Sequence, residues 1–301
     1  MAPKLVFIIP YRNRVQHLTF FNTYMPSILE DYPKDQYEIY FAHQCDQRPF
    51  NRGAMKNIGF LAIKNKYPND YKNITFVFND IDTVPYRKNL LNYETTFNNI
   101  KHFYGYEFAL GGIISIKGAD FEKINGFPCY WSWGFEDNCL QNRANNKGVN
   151  IDRSNFFRIG NPNILQLMDG IRRMINRKGP HALHHDNGID GVATISNIQY
   201  NFDNYMINVH SFDTYHRIED EVFESYDLST RKVMTNNYAN KLANGKEIVT
   251  EKKINNRISS NININNFNNK MLINMTNKSQ TSFRNNNQSA FGKGMNYLFL
   301  K

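Results

Sequence analysis

The run Ile74-Thr75-Phe76-Val77-Phe78 constrains this chain more than any other segment. Residues of β-forming type without polar alternation make a strand buried on both faces, which is the habit of a parallel sheet covered by helices on each side. The run passes through Asn79 into Asp80-Ile81-Asp82, so two carboxylates stand at the carboxyl end of a buried strand. Ligands of open α/β sheets bind outside that end.

The chain up to about residue 212 repeats the pattern. Lys4 to Ile9 is a first strand, with a helix expected over Val15 to Leu29. Tyr37 to His43 is a second strand, and Asn51 to Asn65 places Met55, Ile58, Leu61 and Ala62 at helical spacing. Ile113 to Lys117 follows Gly111-Gly112 as a later strand, and Tyr205 to Val209 is strand-like. Such alternation predicts an α/β fold with a mixed, mainly parallel sheet flanked by helices.

Three regions are expected: a catalytic domain over residues 1–213, a charged and partly helical extension over 214–253, and a tail over 254–301. Asparagine makes up 14 of the tail's 48 residues, and so polar a segment buries too little apolar surface to be expected to order itself. The tail also carries six Lys/Arg and no Asp/Glu, so most of the net charge of +9 lies there. The remainder is nearly balanced, which argues against a specific nucleic-acid-binding domain.

A chain 41% hydrophobic and 14% aromatic is globular in composition. Nothing in it approaches the roughly 20 apolar residues that cross a bilayer. The short apolar run before Pro10 reads as a strand, not as a signal peptide. Cys45, Cys129 and Cys139 are odd in number and far apart, which disfavours a disulfide framework or a cysteine zinc site. A cytoplasmic, reducing setting without an integral membrane segment is the expectation.

Two acidic groups carry the chemistry. Asp80 and Asp82, two apart in an extended segment, point the same way and can share one hard divalent cation. Trp131-Ser132-Trp133-Gly134-Phe135-Glu136-Asp137-Asn138 puts the chain's two tryptophans beside adjacent carboxylates. Indole faces stack on sugar rings and carboxylates accept hydrogen bonds from sugar hydroxyls. A carboxylate desolvated by neighbouring rings suits general-base work. The bland reading is a core tryptophan followed by helix-starting acids. Pro10-Tyr11-Arg12-Asn13-Arg14 and Phe50-Asn51-Arg52 end at the same sheet edge, where arginines can pair with a diphosphate and an aromatic ring can stack on a base. His181, His184 and His185 form a late imidazole cluster. Two histidines three apart reach one cation if the segment is helical or turned.

With these segments in order, joined by Gly111-Gly112 and Asn125-Gly126-Phe127-Pro128, the chain resembles the β-1,4-galactosyltransferase family over roughly Lys4 to Phe212. The resemblance implies a GT-A fold and an inverting transfer of a hexose from a UDP-sugar donor to a carbohydrate acceptor, with Mn²⁺ or Mg²⁺ as cofactor. It implies that Pro10, Tyr11, Arg12, Arg14, Phe50, Asn51 and Arg52 line the donor site with Asp80, Ile81 and Asp82. Asp82 would bind metal, and Trp133 would lie in a loop closing over the donor. Phe135, Glu136, Asp137 and Asn138 would face the acceptor, with Asp137 as general base. The family's later metal ligand is a histidine, assigned to His184 with His181, and His185 competes.

Three departures carry meaning. Ala109 falls where galactose-using members carry a tyrosine, which implies room for an N-acetylhexosamine such as GalNAc. Phe135 stands where glycine is usual, and Asn138 replaces an acid. A nucleotidyltransferase or a degenerate sugar- or nucleotide-binding protein is the competing expectation; the first gives no reason for tryptophans beside Glu136 and Asp137, and the retained Asp82, Trp133, Glu136 and Asp137 argue against the second.

Overall fold

The computed structural model describes residues 2–234, apart from 169 and 231. The chain opens with β1 (Leu5–Tyr11), α1 (Val15–Ile28), β2 (Tyr37–Gln44), α2 (Arg52–Lys66) and β3 (Thr75–Asn79). β1 pairs in parallel with both β2 and β3, with Tyr11 opposite His43 and Ile8 opposite Phe78. The carboxyl ends of the strands, and the loops that follow them, therefore share one edge of the sheet.

Every residue of β1 is buried, and its alternation divides the core. Val6 and Ile8 join Met55, Ile58, Phe76 and Phe78 on the α2 side. Leu5, Phe7 and Ile9 join Phe21, Met25 and Val77 on the α1 side. Burial on both faces is what the unalternating apolar runs require. Helix α2 lies close to the sheet because Gly59 has no side chain: a Cβ there would stand 2.5 Å from Ile8 Cγ2.

The sheet then changes direction. After the short β4 (Thr83–Pro85) come β5 (Asn99–Gly105) and β6 (Ile113–Lys117). β6 runs antiparallel to β3 with Ile113 opposite Asn79. The start of β6 thus meets the end of β3, and the Asp80 N–H donates to Gly112 O at 3.0 Å. This reversal brings Gly111-Gly112 to the acidic strand end.

Next come α3 (Gly118–Lys123), α4 (Glu136–Asn146), β7 (Asn150–Asp152), β8 (Phe157–Arg158), β9 (Ile164–Gln166), β10 (Arg172–Asn176) and α5 (Gly179–His184). A hairpin of β11 (Ser196–Asp203) and β12 (Met206–Asp213) follows, then β13 (Phe223–Asp227) and β14 (Lys232–Met234). Among the described residues, nine strands form one sheet in the order β11-β12-β2-β1-β3-β6-β5-β7, with β8 also paired to β5. β12 joins β2 in parallel, so the expected mixed, mainly parallel architecture holds. Also among the described residues, no helix is long and apolar enough to cross a membrane.

The described chain continues past the expected boundary at residue 213. Among the described residues beyond it come a 3₁₀ turn, Ile218–Asp220, and then β13, which pairs antiparallel with β10 and β14. Of the charges in this stretch, Glu224 lies on β13 opposite Ile175 and pairs with Arg177, whereas Glu219 and Asp220 lie in the 3₁₀ turn. The Trp131 indole N–H donates to Thr214 Oγ1 at 3.0 Å and to His216 O at 2.8 Å, fastening this segment to the domain. The 254–301 tail lies outside the described residues.

Asn51 begins α2 as a structural cap. Its Oδ1 accepts from the Ala54 N–H at 2.9 Å, its Nδ2 donates to Cys129 O at 2.9 Å, and it is fully buried. An N-cap alone is worth about 1 kcal/mol, and an orphaned buried carbonyl adds a similar cost, so Asn51→Ala should destabilise by about 2–3 kcal/mol. Urea unfolding of the variant against the parent chain measures the difference.

Candidate active site

The first turn of α2 starts at the sheet edge where β1, β2 and β3 end, and it carries two cations one turn apart. Arg52 Nε and Nη2 reach Asp80 Oδ1 at 3.0 and 2.6 Å, and Nη2 also reaches Asp80 Oδ2 at 2.7 Å. Its Nη1 donates to Asp137 Oδ2 at 2.9 Å and to Glu136 Oε1. Lys56 Nζ lies 3.3 Å from Asp137 Oδ1 and 3.8 Å from Asp80 Oδ1. The acidic strand end and the tryptophan-flanked acids therefore meet across one basic bridge.

That bridge sorts the two neighbouring acids. Burial would push Asp137 up, but Arg52 and Lys56 outweigh it and hold the carboxyl below the usual aspartate range. Burial raises Glu136, and the adjacent Asp137 charge adds to the effect against Arg52 and Lys56. Asp137 is thus the acid kept ionised and able to take a proton. Its carboxylate lies on the glycine turn: a Cβ at Gly111 would stand 2.3 Å from Asp137 Oδ2. The Asp137 carbonyl also accepts from the Leu110 N–H at 2.9 Å.

Behind the turn, His102 Nε2 lies 3.1 Å from both Tyr104 O and Gly111 O. Both neighbours are acceptors, so Nε2 carries the proton, while Nδ1 accepts from Arg153 Nε at 3.0 Å. Burial, helped by Arg153, drops this histidine to about 4 and keeps it neutral.

The two tryptophans divide. Trp131 is buried, stacks on Phe212 with ring centroids 5.4 Å apart, and carries the Arg48 guanidinium over its ring at 4.6 Å. Trp133 is 43% exposed, and its backbone N–H donates to Met174 O on β10 at 2.8 Å. Gly134 and Phe135 follow with φ of +106° and +74°. Phe135 thus occupies the left-handed region that favours glycine, with its ring against Gly179 at the start of α5. The usual glycine at this position has a conformational reason that this chain overrides. Asn138 donates to Phe108 O at 3.1 Å.

The remaining donor-site expectations separate into half-buried and buried residues. Arg14 Nη1 lies 3.7 Å from Asp82 Oδ2. Arg12 donates to Arg48 O. Pro10 and Tyr11 are buried, and the Tyr11 ring lies 5.0 Å from that of His43. Phe50 packs against the α2-side core. Ile81 is 2% exposed, so its side chain belongs to the core and only its backbone is left for a ligand. Asn51 is likewise committed to capping, and Arg52 spends its donors on carboxylates. Ala109 is buried in the turn before Leu110.

The expected metal set does not close into one group. Among the described residues, no three His, Cys, Asp or Glu side chains gather as a metal site. His181 stacks on His185 at 4.0 Å, and His184 meets His185 edge-on at 4.9 Å. These imidazoles pack on one another in and just after α5, and His181, His184 and His185 are all exposed.

Comparison with known proteins draws on this arrangement. The N-terminal region of glycosyl transferase group 7 matches residues 2–94, and the N-terminal domain of galactosyltransferase matches residues 92–166. Mouse β-1,4-galactosyltransferase 1 is 36% identical over 163 residues, and the human protein is 34% identical over 164. The chain belongs to the β-1,4-galactosyltransferase family. The aligned stretch is 50% of this chain and 39% of each of those relatives, so the chain spans about two-fifths of their length.

The GT-A architecture of the family is matched by a Drosophila β-1,4-galactosyltransferase 7 catalytic domain solved with xylobiose. The TM-score is 0.54 at 18% identity, covering 72% of this chain and 97% of that one. A mutant of the Drosophila protein, solved with manganese, UDP-Gal and xylobiose, gives a TM-score of 0.53 at 17% identity. At such identity these likenesses speak for the fold.

Lys56 and His102 were not among the residues singled out from the sequence. Both are polar groups whose burial is set by tertiary contacts, and a lysine or histidine in isolation is more often at a surface. Removing the guanidinium that bridges the site strands buried negative charge, so Arg52→Met should destabilise the fold by about 3–5 kcal/mol at neutral pH. The deficit shrinks as the pH falls and the stranded carboxylates take up protons. Urea unfolding at neutral and acid pH reads both effects.

Proposed function

We propose that this family member transfers a hexose from a UDP-sugar to a carbohydrate hydroxyl with inversion at the anomeric carbon. The carrying observation is the Arg52–Lys56 bridge, which joins Asp80 at the sheet edge to Glu136 and Asp137 beside the exposed Trp133. In this reading the donor nucleotide lies over the ends of β1 and β3, near Arg12, Arg14 and Phe50. The acceptor lies between Trp133 and the start of α4, with Glu136, Phe135 and Asn138 around it.

Asp137 takes the acceptor hydroxyl's proton as the oxygen attacks the donor's anomeric carbon from the face opposite UDP. One in-line displacement breaks the bond to UDP, forms the new glycosidic bond and inverts the configuration. The low proton affinity of Asp137 keeps it charged at neutral pH, and the Gly111 turn presses its carboxylate into a fixed position. Trp133 shields the reaction from water, which limits donor hydrolysis.

Asp82 suits a metal shared with substrate, without a closed set of protein ligands among the described residues. Asp82 offers hard carboxylate oxygens at the sheet edge, and hard divalent cations are commonly held by one or two carboxylates plus substrate phosphates. Asp82, with an imidazole from His184 or His181 and His185 as the competitor, would hold Mn²⁺ or Mg²⁺. When bound there, the cation neutralises charge on the diphosphate leaving group. Arg14, 3.7 Å from Asp82, adds positive charge at the same place.

Buried Ala109 supports an N-acetylhexosamine donor, since a methyl side chain leaves room for a larger substituent. The unpaired Cys45, Cys129 and Cys139 support a reducing, cytoplasmic setting. Incubation with Mn²⁺, a panel of UDP-sugars and monosaccharide acceptors, followed by mass spectrometry, tests the function. UDP-N-acetylgalactosamine should be consumed with formation of a disaccharide; release of pyrophosphate from nucleoside triphosphates would point to a nucleotidyltransferase instead. Asp137→Asn should lower kcat by about 10³-fold, within the range of general-base catalysis. UDP affinity, measured by calorimetry, should stay within about twofold, since the substituted group faces the acceptor and not the nucleotide.

A further inference from the structure

Lys56 is the most deeply buried lysine of the described chain, with its side chain 2% exposed. Burying an ammonium is costly unless charge and hydrogen bonds compensate it. Its compensation consists of Asp137 Oδ1 at 3.3 Å, Asp80 Oδ1 at 3.8 Å and the face of Phe127, whose centroid lies 4.3 Å from Nζ. Lys56 follows Arg52 by one helical turn, so both cations share a face of α2. Arg52 holds Oδ2 of Asp137 and Lys56 holds Oδ1.

We propose that Lys56 is a positioning residue for sugar transfer: it clamps the second carboxylate oxygen of Asp137, so that the proton acceptor is both oriented and kept ionised. The inference rests on the reading of Asp137 as general base. Two cations on two oxygens fix the plane of the carboxylate, while each oxygen keeps a further lone pair for the acceptor hydroxyl. The charge balance points the same way. Asp80, Glu136 and Asp137 bring three negative charges into one cleft, and Arg52 alone would leave two uncompensated. His102, behind the Gly111 turn, also faces Asp137, and its burial keeps it neutral, so it lends no charge. An apolar residue of equal length at position 56 would fill the space over Phe127 without doing either task.

The test follows the Asp137 carboxyl directly, by NMR titration of protein labelled at aspartate carboxyl carbons, with the signal assigned by its loss in Asp137→Asn. In Lys56→Met, Asp137 should titrate about one pH unit higher than in the parent chain or more, as for a carboxylate losing an adjacent cation. The acid limb of kcat/KM should move up with it, because the base must be deprotonated to act. kcat should fall more than KM rises, and Lys56→Arg should restore most of the loss. An unchanged Asp137 titration in Lys56→Met would overturn the proposal whatever happens to the rate. If that variant does not fold, the parent chain decides: the Lys56 ammonium nitrogen must shift as the Asp137 carboxyl titrates, and independent titrations would overturn the inference. A parent chain that transfers no sugar would remove the proposed function and leave the carboxyl titrations to judge the lysine.

Discussion

The site depends on one electrostatic constraint: acids from two distant segments cannot share a partly buried cleft unless cations are built in between them. Asp80 arrives at the end of β3, and Glu136 and Asp137 arrive at the start of α4. Arg52 and Lys56, on one face of α2, let these carboxylates approach without the repulsion that would drive the segments apart or protonate them. The same compensation differentiates the acids. Glu136 ends with raised proton affinity and Asp137 with lowered affinity, although they are neighbours in sequence.

The frame serves that constraint. Parallel pairing of β1 with β2 and β3 brings the strand ends to one edge, and the antiparallel β6 delivers the Gly111 turn to the same place. Absence of a side chain at Gly111 admits the Asp137 carboxylate against the backbone. The loop from Trp131 to Phe135 is held from both ends. Trp131 is sunk among Phe212, Arg48 and the 214–216 segment, whereas Trp133 is left at the surface with its backbone N–H on β10.

Much of this was legible in the residues. The runs at 4–9, 37–43, 74–78 and 113–117 all form strands within two residues of their expected bounds, and burial on both faces is complete in β1 and β3. The two acidic groups at 80–82 and 136–137 were legible as chemistry, whereas their joining through Arg52 and Lys56 was not. The shorter strands β7 to β9 are two or three residues long and carry no periodicity to read. β13 lies in a stretch whose charges mask the strand pattern, and residues 235–253 lie outside the described chain. Asparagine before a helix suits a ligand contact and a cap equally, and the side-chain hydrogen bond of Asn51 to the Ala54 N–H is that of a cap. Lys56 lay inside a helix that was anticipated, but helical spacing cannot say whether a lysine faces solvent or a carboxylate.

One small feature of α2 reaches further than its size suggests. Gly59 lies three residues beyond Lys56 and seven beyond Arg52, and its bare backbone rests on Ile8. The standoff between helix and sheet is therefore set at a point with no chemistry of its own. Even a methyl group there would act as a wedge, lifting the helix and withdrawing its cations from the acids by a common amount. The electrostatics of the cleft are in this sense tuned from the contact of Gly59 with Ile8, which itself carries no charge.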